Sequence, residues 1–392
     1  MVSPILSSSK RFALHLGVIG AAPHWIGEDG SPVAYEPYVR EMRLWANLFE
    51  HVTICSPAGE GEPRIPLVSY DRPNVTWVPV RYSGRQGGVG AIVRLCQLPI
   101  VCVTSHKVIR QSDFLLLRSP DHVGFIGAIL SRLMGRDSIT KWAGDRGPRK
   151  GEPISVMLDR LFQDIPSRHH HMLVYGQEER RHHISFFPAL MSSNELAVAQ
   201  ELARNKSFSP PWRILMVGRL EPGKGFDLAL LGLKQLRDDV PDLPWECTVV
   251  GDGSQYLRLK EIAAEPNVRG RVRFVGPLPF EKVQEEYANS HFLVMPSTNE
   301  GWPKVIAEAW AHGCLPIAAP ARLVPWILRR TGSGVIFDPS PAGLSRAIQE
   351  VCANSGQLAT LSKTLFSLAA ELSLENFERQ LERVLVERCG LE

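Results

Sequence analysis

No apolar run in the 392 residues reaches the roughly 20 positions that a membrane-spanning helix needs. The longest, near residues 12–22 and 98–103, stop well short. Cysteine in chemically useful spacing is also missing. The seven, Cys55, Cys96, Cys102, Cys247, Cys314, Cys352 and Cys389, form no CxxC pair, and an odd number cannot be fully paired within one chain. That pattern argues against a zinc module or a disulfide scaffold and fits a reducing cytosol. A large excess of one charge is absent too: 44 Lys and Arg against 41 Asp and Glu give +3, too little to support nucleic-acid binding. The surplus is confined to the first half, with 24 basic and 19 acidic residues up to Lys206 and 20 and 22 after it. Repeats and low-complexity tracts are lacking. What remains, 44% hydrophobic and 22% charged residues, is the composition of an ordinary folded chain long enough for two domains.

Apolar periodicity supplies the organisation. Residues 12–19 read as a buried strand; Lys10 and Arg11 before this run and Ala21-Ala22 after it outline a signal peptide, but His15, Gly17 and Gly20 interrupt it. A helix over 38–49 and strands over 51–55, 75–80, 114–117, 138–142 and 172–175 continue a parallel α/β sheet. A polar, turn-rich segment between Pro188 and Trp212 ends in Ser209-Pro210-Pro211 and marks the domain boundary, giving a first domain of 1–206 and a second of 207–372. The second half predicts strands over 213–217, 247–250, 272–275, 292–295, 315–318 and 335–337. Helices over 226–237, 254–264, 280–288 and 303–312 separate most of them, so two Rossmann-like, doubly wound domains are expected. The segment 373–392 holds an amphipathic helix that is expected to pack back on the first domain.

Three loops in the second half carry chemistry. Gly218-Arg219-Leu220-Glu221-Pro222-Gly223-Lys224-Gly225 lies between a strand and a helix, where backbone amides, Arg219 and Lys224 suit a phosphate. It matches the first seven positions of a phosphate-binding loop, but Gly225 stands where Ser or Thr would hold magnesium, which disfavours an NTPase. Gly251-Asp252-Gly253 follows the next strand and permits close ligand approach, although Tyr256 replaces the third glycine of a dinucleotide fingerprint. The strongest signal is the run from His291 to Gly313. Pro303 suits a helix start and Gly313 a helix end, which puts Glu300 on the loop and Glu308 in the helix. Both carboxylates are then expected to face a ligand over the helix N-terminus, with amides of Trp302, Lys304 and Val305 aimed at anionic oxygens and a carboxylate accepting vicinal hydroxyls. A plain helix-surface contact between Glu308 and Lys304 is the competing account.

These residues resemble the GT-B fold glycosyltransferases of family 4, the glycosyl transferase group 1 family. The resemblance covers about 213–351 and rests on Gly218-Arg219, Lys224-Gly225, Gly251-Asp252-Gly253, Phe274-Val275-Gly276 and the two glutamates eight apart. It implies a GT-B architecture of two Rossmann-like domains facing a cleft, and retaining transfer of a sugar from a nucleotide donor to a glycan, lipid-linked or small-molecule acceptor. Arg219 and Lys224 would bind the diphosphate in place of a metal, so neither a cofactor nor an essential metal is expected. Gly218, Gly251, Gly253, Trp302, Pro303, Lys304 and Val305 would line the donor. Glu308 would take the ribose hydroxyls and Glu300 the transferred sugar, with Pro277 and Leu278 beside the base. An epimerase or sugar phosphorylase of the same architecture, or a non-catalytic nucleotide-sugar-binding subunit, are the alternatives.

The first half, with Tyr35-Glu36-Pro37-Tyr38-Val39-Arg40-Glu41-Met42-Arg43-Leu44-Trp45, resembles the acceptor domain of a subset of this family whose members carry a tyrosine- and arginine-rich first helix. Gly20, Arg118, His122 and Asp145 follow strand ends and are the acceptor-side candidates, each also explicable as structural. His169-His170-His171 and His182-His183 lack a carboxylate or cysteine at ligand spacing and are expected to be structural. From Arg72 to Ser112 there are six basic residues and no acidic one, a solvated face or a peripheral contact with an anionic membrane. A cytoplasmic protein, either free or held peripherally at the inner face of a membrane, follows as the expectation.

Overall fold

The computed structural model describes residues 12–61, 63, 66–82, 88–143, 146–147, 152–176, 182–298 and 300–392, with 88–94 described for their backbone only. The chain divides into two units. The first comprises residues up to Ala189 together with Phe377–Glu392, and the second runs from Leu190 to Asn376. The sequence reading of 206–207 is therefore corrected to 189–190. The reason lies in the helix Ser193–Ala203, which opens on a capping box between Ser192 and Glu195 and is bonded to the second unit through Ser193 and Glu375. Leu190 N–H donates to Leu372 O, and Leu374 N–H to Met191 O, closing the same unit.

The first unit holds a seven-stranded parallel sheet in the order His183–Phe186, His170–Tyr175, Ser138–Trp142, Phe114–Ser119, Phe12–Ile19, Phe49–Pro57, Val75–Val80. Its central strands are covered on both faces, so Leu16, Val18, Leu115 and Leu116 are fully buried rather than alternating. Winding reverses between Phe12–Ile19 and Phe114–Ser119, and Gly20 and Arg118 lie at the carboxyl ends of those two strands. A small antiparallel sheet of His24–Ile26, Pro32–Tyr35 and Leu67–Ser69 was not foreseen, because segments of three or four residues carry too little period to read. The basic stretch contains the helix Gly88–Gln111, which runs through Pro99. The C-terminal helix Leu374–Glu387 passes into this unit, where Phe377 is buried with its ring centroid 5.0 Å from that of Phe186.

The second unit carries a six-stranded parallel sheet ordered Val272–Gly276, Trp245–Val250, Trp212–Val217, Phe292–Met295, Leu315–Ala318, Val335–Ile336. Helices Phe226–Asp239, Tyr256–Ala263, Phe280–Asn289 and Lys304–Ala311 make the crossovers. Leu215, Leu293, Ile317 and Leu233 are all fully or nearly fully buried, and each such side chain stabilises the core by about 1.5–3 kcal/mol. The strand order reverses between Trp212–Val217 and Phe292–Met295, so the loops following these two strands meet at the switch point, where open α/β sheets bind ligands. Among the described residues no helix is long and apolar enough to cross a membrane.

One backbone constraint sets the spacing of the loops on this edge. Gly251 has φ +132°, and a Cβ there would lie 1.9 Å from the carbonyl oxygen of Gly218. Gly251→Ala is expected to destabilise the protein by about 2–4 kcal/mol through strain and overlap. Chemical denaturation checks this; an unchanged midpoint would show that the loops need no such approach.

Candidate functional site

A cavity of about 230 Å³ opens at the switch point of the second unit. Its lining includes Gly218 and Lys224 from the first loop, and Glu300, Trp302, Pro303, Lys304 and Val305 from the loop and helix start after Phe292–Met295. The first loop reaches this place because Gly225 adopts φ +74°, with its α-carbon against Pro296; a Cβ would fall 2.7 Å from the Pro296 carbonyl oxygen. A Ser or Thr there has no room, which accounts physically for the departure from an NTPase loop.

Within the cavity Lys224 Nζ donates to Glu300 Oε1 at 2.6 Å, with both side chains about a quarter exposed. Each neutralises the other. Because both side chains keep part of their surface toward the cavity, the pair is a contact that a competing charged group can reach. The helix Lys304–Ala311 begins at Pro303 with no side-chain cap, and its positive dipole end faces the same space.

Other expected donor residues stand elsewhere. Arg219 is exposed and outside the described lining of the cavity. Gly251 and Gly253 pack on the backbone of the first loop, Gly253 placing its α-carbon against Leu220, and Leu220 N–H donates to Asp252 O. Glu221, which accepts from Ser254 Oγ at 2.6 Å, ties the same two loops and is thereby held below the usual carboxylate range. Pro277 is exposed and Leu278 half-buried just after Val272–Gly276. The glutamates are not together in the cavity: Glu308 accepts from Tyr287 Oη at 2.9 Å, and burial raises its pKa while that bond and Lys304 oppose the shift. Lys304 acts on Glu308 electrostatically, as the competing helix-surface account requires, but the short hydrogen bond goes to Tyr287. No sequence signal pointed to Tyr287.

In the first unit Arg118 Nη1 donates to Glu41 Oε1 at 2.9 Å, Lys141 Nζ donates to Glu41 Oε2 at 2.5 Å, and the Arg118 guanidinium lies 4.8 Å from the Tyr38 ring centroid. Arg118 is thus one member of a largely buried ion cluster. Gly20 packs directly on Arg118, where a Cβ would lie 2.9 Å from the arginine Cβ. His122 opens the helix His122–Leu133 with its ring 6.0 Å from that of Tyr82. The cap of that helix is Asp121, which accepts from Gly124 N at 2.6 Å and Ala21 N at 3.0 Å and is pushed up to about 6 by burial. An aspartate just before an apolar helix is a readable cap signal that sequence reasoning passed over. Asp145 lies outside the described residues. His170, His171 and His183 lie on the neighbouring strands His170–Tyr175 and His183–Phe186, His182 just precedes the second, and His169 pairs with Asp137 at 2.7 Å; no metal-holding group of His, Cys, Asp or Glu occurs among the described residues.

Residues 199–364 match the family model for glycosyl transferases group 1. A D-inositol 3-phosphate glycosyltransferase of Salinispora tropica is 30% identical over 188 residues, 45% of this chain and 38% of that protein. An uncharacterized glycosyltransferase of Haemophilus influenzae is 37% identical over 106 residues, 27% of this chain and 29% of that protein. The chain thus spans about two-fifths or less of the length of these curated relatives. Over nearly the whole chain the fold is that of sucrose-phosphate synthase from Thermosynechococcus elongatus, with a TM-score of 0.69 at 16% identity, covering 96% of this chain and 100% of that one. It is also that of Anabaena HepE solved with UDP and glucose, with a TM-score of 0.65 at 14% identity, covering 95% and 99%. Two Rossmann-like units of the GT-B class are the fold of the chain.

Burial makes ionised Glu308 costly to the folded state, so its contribution is favourable below the unfolded carboxylate pKa and is lost as pH rises through the raised folded pKa. Glu308→Gln is therefore expected to melt at a higher temperature than the parent at about pH 7, the gap closing towards about pH 4. A gap that is absent at neutral pH, or that widens on acidification, would contradict this sign.

Proposed function

We propose that the chain is a glycosyltransferase that takes a nucleotide-sugar donor in its second unit and passes the sugar, with retention, to a glycan, lipid-linked or small-molecule acceptor. The observation that carries the reading is the Lys224–Glu300 pair inside a switch-point cavity that also receives an uncapped helix N-terminus. The group 1 match over residues 199–364 spans that cavity, and the chain's partial relatives bear glycosyltransferase names.

The chemistry follows from where charge develops. Departure of the nucleoside diphosphate concentrates negative charge on its outer phosphate as the sugar becomes oxocarbenium-like. Lys224 and the first amides of Lys304–Ala311 stabilise that leaving group without a metal. Drawing Lys224 onto the phosphate frees Glu300 to orient the sugar hydroxyls and to stabilise the cationic ring electrostatically. Glu308 takes the ribose hydroxyls once it leaves or shares its bond with Tyr287. Arg219, exposed on the same loop, reaches the diphosphate only by swinging inward on binding. The first unit supplies the acceptor side through the surroundings of Gly20, His122 and the Arg118 cluster.

A thermal-shift screen of UDP, GDP, ADP and their sugars tests the donor, because a ligand present at 100 times its Kd stabilises by about 2.7 kcal/mol. Lys224→Ala is expected to lower the affinity for the responding nucleotide by about 10- to 100-fold, as the loss of a charge-assisted bond requires. Binding should also weaken on acidification through the raised pKa of Glu308, since only the carboxylate accepts both ribose hydroxyls. No response to any nucleotide, or unaltered affinity in Lys224→Ala, would refute the assignment.

A further inference from the structure

The helix that carries Glu308 is held at its other end by a residue far from the cavity. Helix C-termini leave carbonyl groups without intrahelical partners, and two such ends converge here: Phe280–Asn289, followed by Ser290, and Lys304–Ala311, followed by His312. Lys206 Nζ lies between them, donating to Ser290 O at 2.7 Å, His312 O at 2.7 Å and Tyr287 O at 3.2 Å. An ammonium has three N–H groups, and each finds one carbonyl. The cation also sits at the negative ends of two helix dipoles, a favourable place for it.

Both routes from this clamp lead to Glu308. Tyr287 gives its carbonyl to Lys206 and its hydroxyl to Glu308. His312 gives its carbonyl to Lys206, while its Nδ1 bonds to Glu308 O at 2.8 Å, and its ring stacks on that of Tyr287 with centroids 5.5 Å apart and planes 15° apart. Burial lowers the His312 pKa to about 4, so the ring is neutral and donates through Nδ1. Tyrosine, histidine and helix end are therefore tied to one another and to the Lys206 ammonium.

We infer that Lys206 is a positioning residue for the nucleotide site: through Tyr287 and the C-terminal end of Lys304–Ala311 it fixes the place of the Glu308 carboxylate without touching ligand. This rests on the donor reading given above and goes beyond it by naming what holds the ribose-binding group in register.

Calorimetry on the full chain compares UDP, GDP and ADP with their 2′,3′-dideoxy analogues and with inorganic pyrophosphate. The parent protein should prefer the ribose form of its nucleotide by about tenfold, the worth of hydrogen bonds to a half-buried carboxylate. Lys206→Met removes the ammonium from three carbonyls, of which Tyr287 O keeps the Ser290 N–H, and should cut that preference by about fivefold or more, while pyrophosphate, which reads the Lys224 loop, keeps its affinity within about twofold. Lys206→Arg, still a charged multiple donor, should restore part of the preference. Arg204→Ala, an exposed neighbour paired with Glu201, should change neither value. A general loss of structure would lower nucleotide and pyrophosphate binding together, which is not the expected pattern. Should Lys206→Met fail to fold, Lys206→Gln, which keeps an amide donor, gives the same ratio. Full ribose preference in the folded variant overturns the positioning role. Equal binding of ribose and dideoxyribose forms by the parent overturns the role of Glu308 and the inference with it, whereas failure of the parent to bind any nucleotide or pyrophosphate overturns the donor reading itself.

Discussion

The second unit depends on a restriction of volume at the carboxyl edge of its sheet. Two loops touch backbone to backbone where Gly251 meets Gly218, and a second contact of this kind sets Gly225 on Pro296. Without side chains at these points, Lys224 is carried across the switch point to Glu300, which comes from a different strand loop. Parallel sheets bury both faces under helices, so the edge is where chemistry can be exposed while the residues beneath it stay packed. The cavity is thus a consequence of strand order and missing β-carbons as much as of the charged residues in it.

The two units use charge differently. Glu41 binds Arg118 and Lys141 in a largely enclosed cluster, where removal of the carboxylate would leave two cations without their partner. Such a group is suited to holding shape. The Lys224–Glu300 pair is about a quarter exposed on both sides, so water and incoming ligands reach it and its members can change partners at modest cost. Burial, more than residue type, separates the structural ion cluster from the exchangeable one.

Much of this was legible in the sequence, and the reason is periodicity. Continuous apolar runs such as residues 114–117 and 292–295 are what doubly covered strands look like, and the glycine loops after them mark the carboxyl edge. The cavity-lining residues Lys224, Glu300 and Pro303 were found because motif spacing places them on adjacent loops. Tyr287 and Lys206 were not found, because their partners lie 21 and 81 to 106 residues away or are main-chain carbonyls, which no residue pattern reports. The unit boundary was misplaced for a related reason: polar, proline-rich sequence marks a turn, whereas the allegiance of Ser193–Ala203 is decided by contacts with residues near 372–375.

The helix Lys304–Ala311 brings these strands of argument together. Its N-terminal end is uncapped by any side chain and opens on the cavity, while its C-terminal end is closed by the Lys206 ammonium on His312 O and by Gly313, whose φ of +58° ends the helix. A dipole with its negative end satisfied inside the protein and its positive end left open is polarised toward anions before any arrives. Glu308, between these ends, is kept from the cavity by Tyr287 and destabilised by burial. On the proposed reading, a ligand that brings both an anion and vicinal hydroxyls would meet the open helix end and the Glu308 carboxylate at once. On the proposed donor reading, a bare phosphate would meet only one of them.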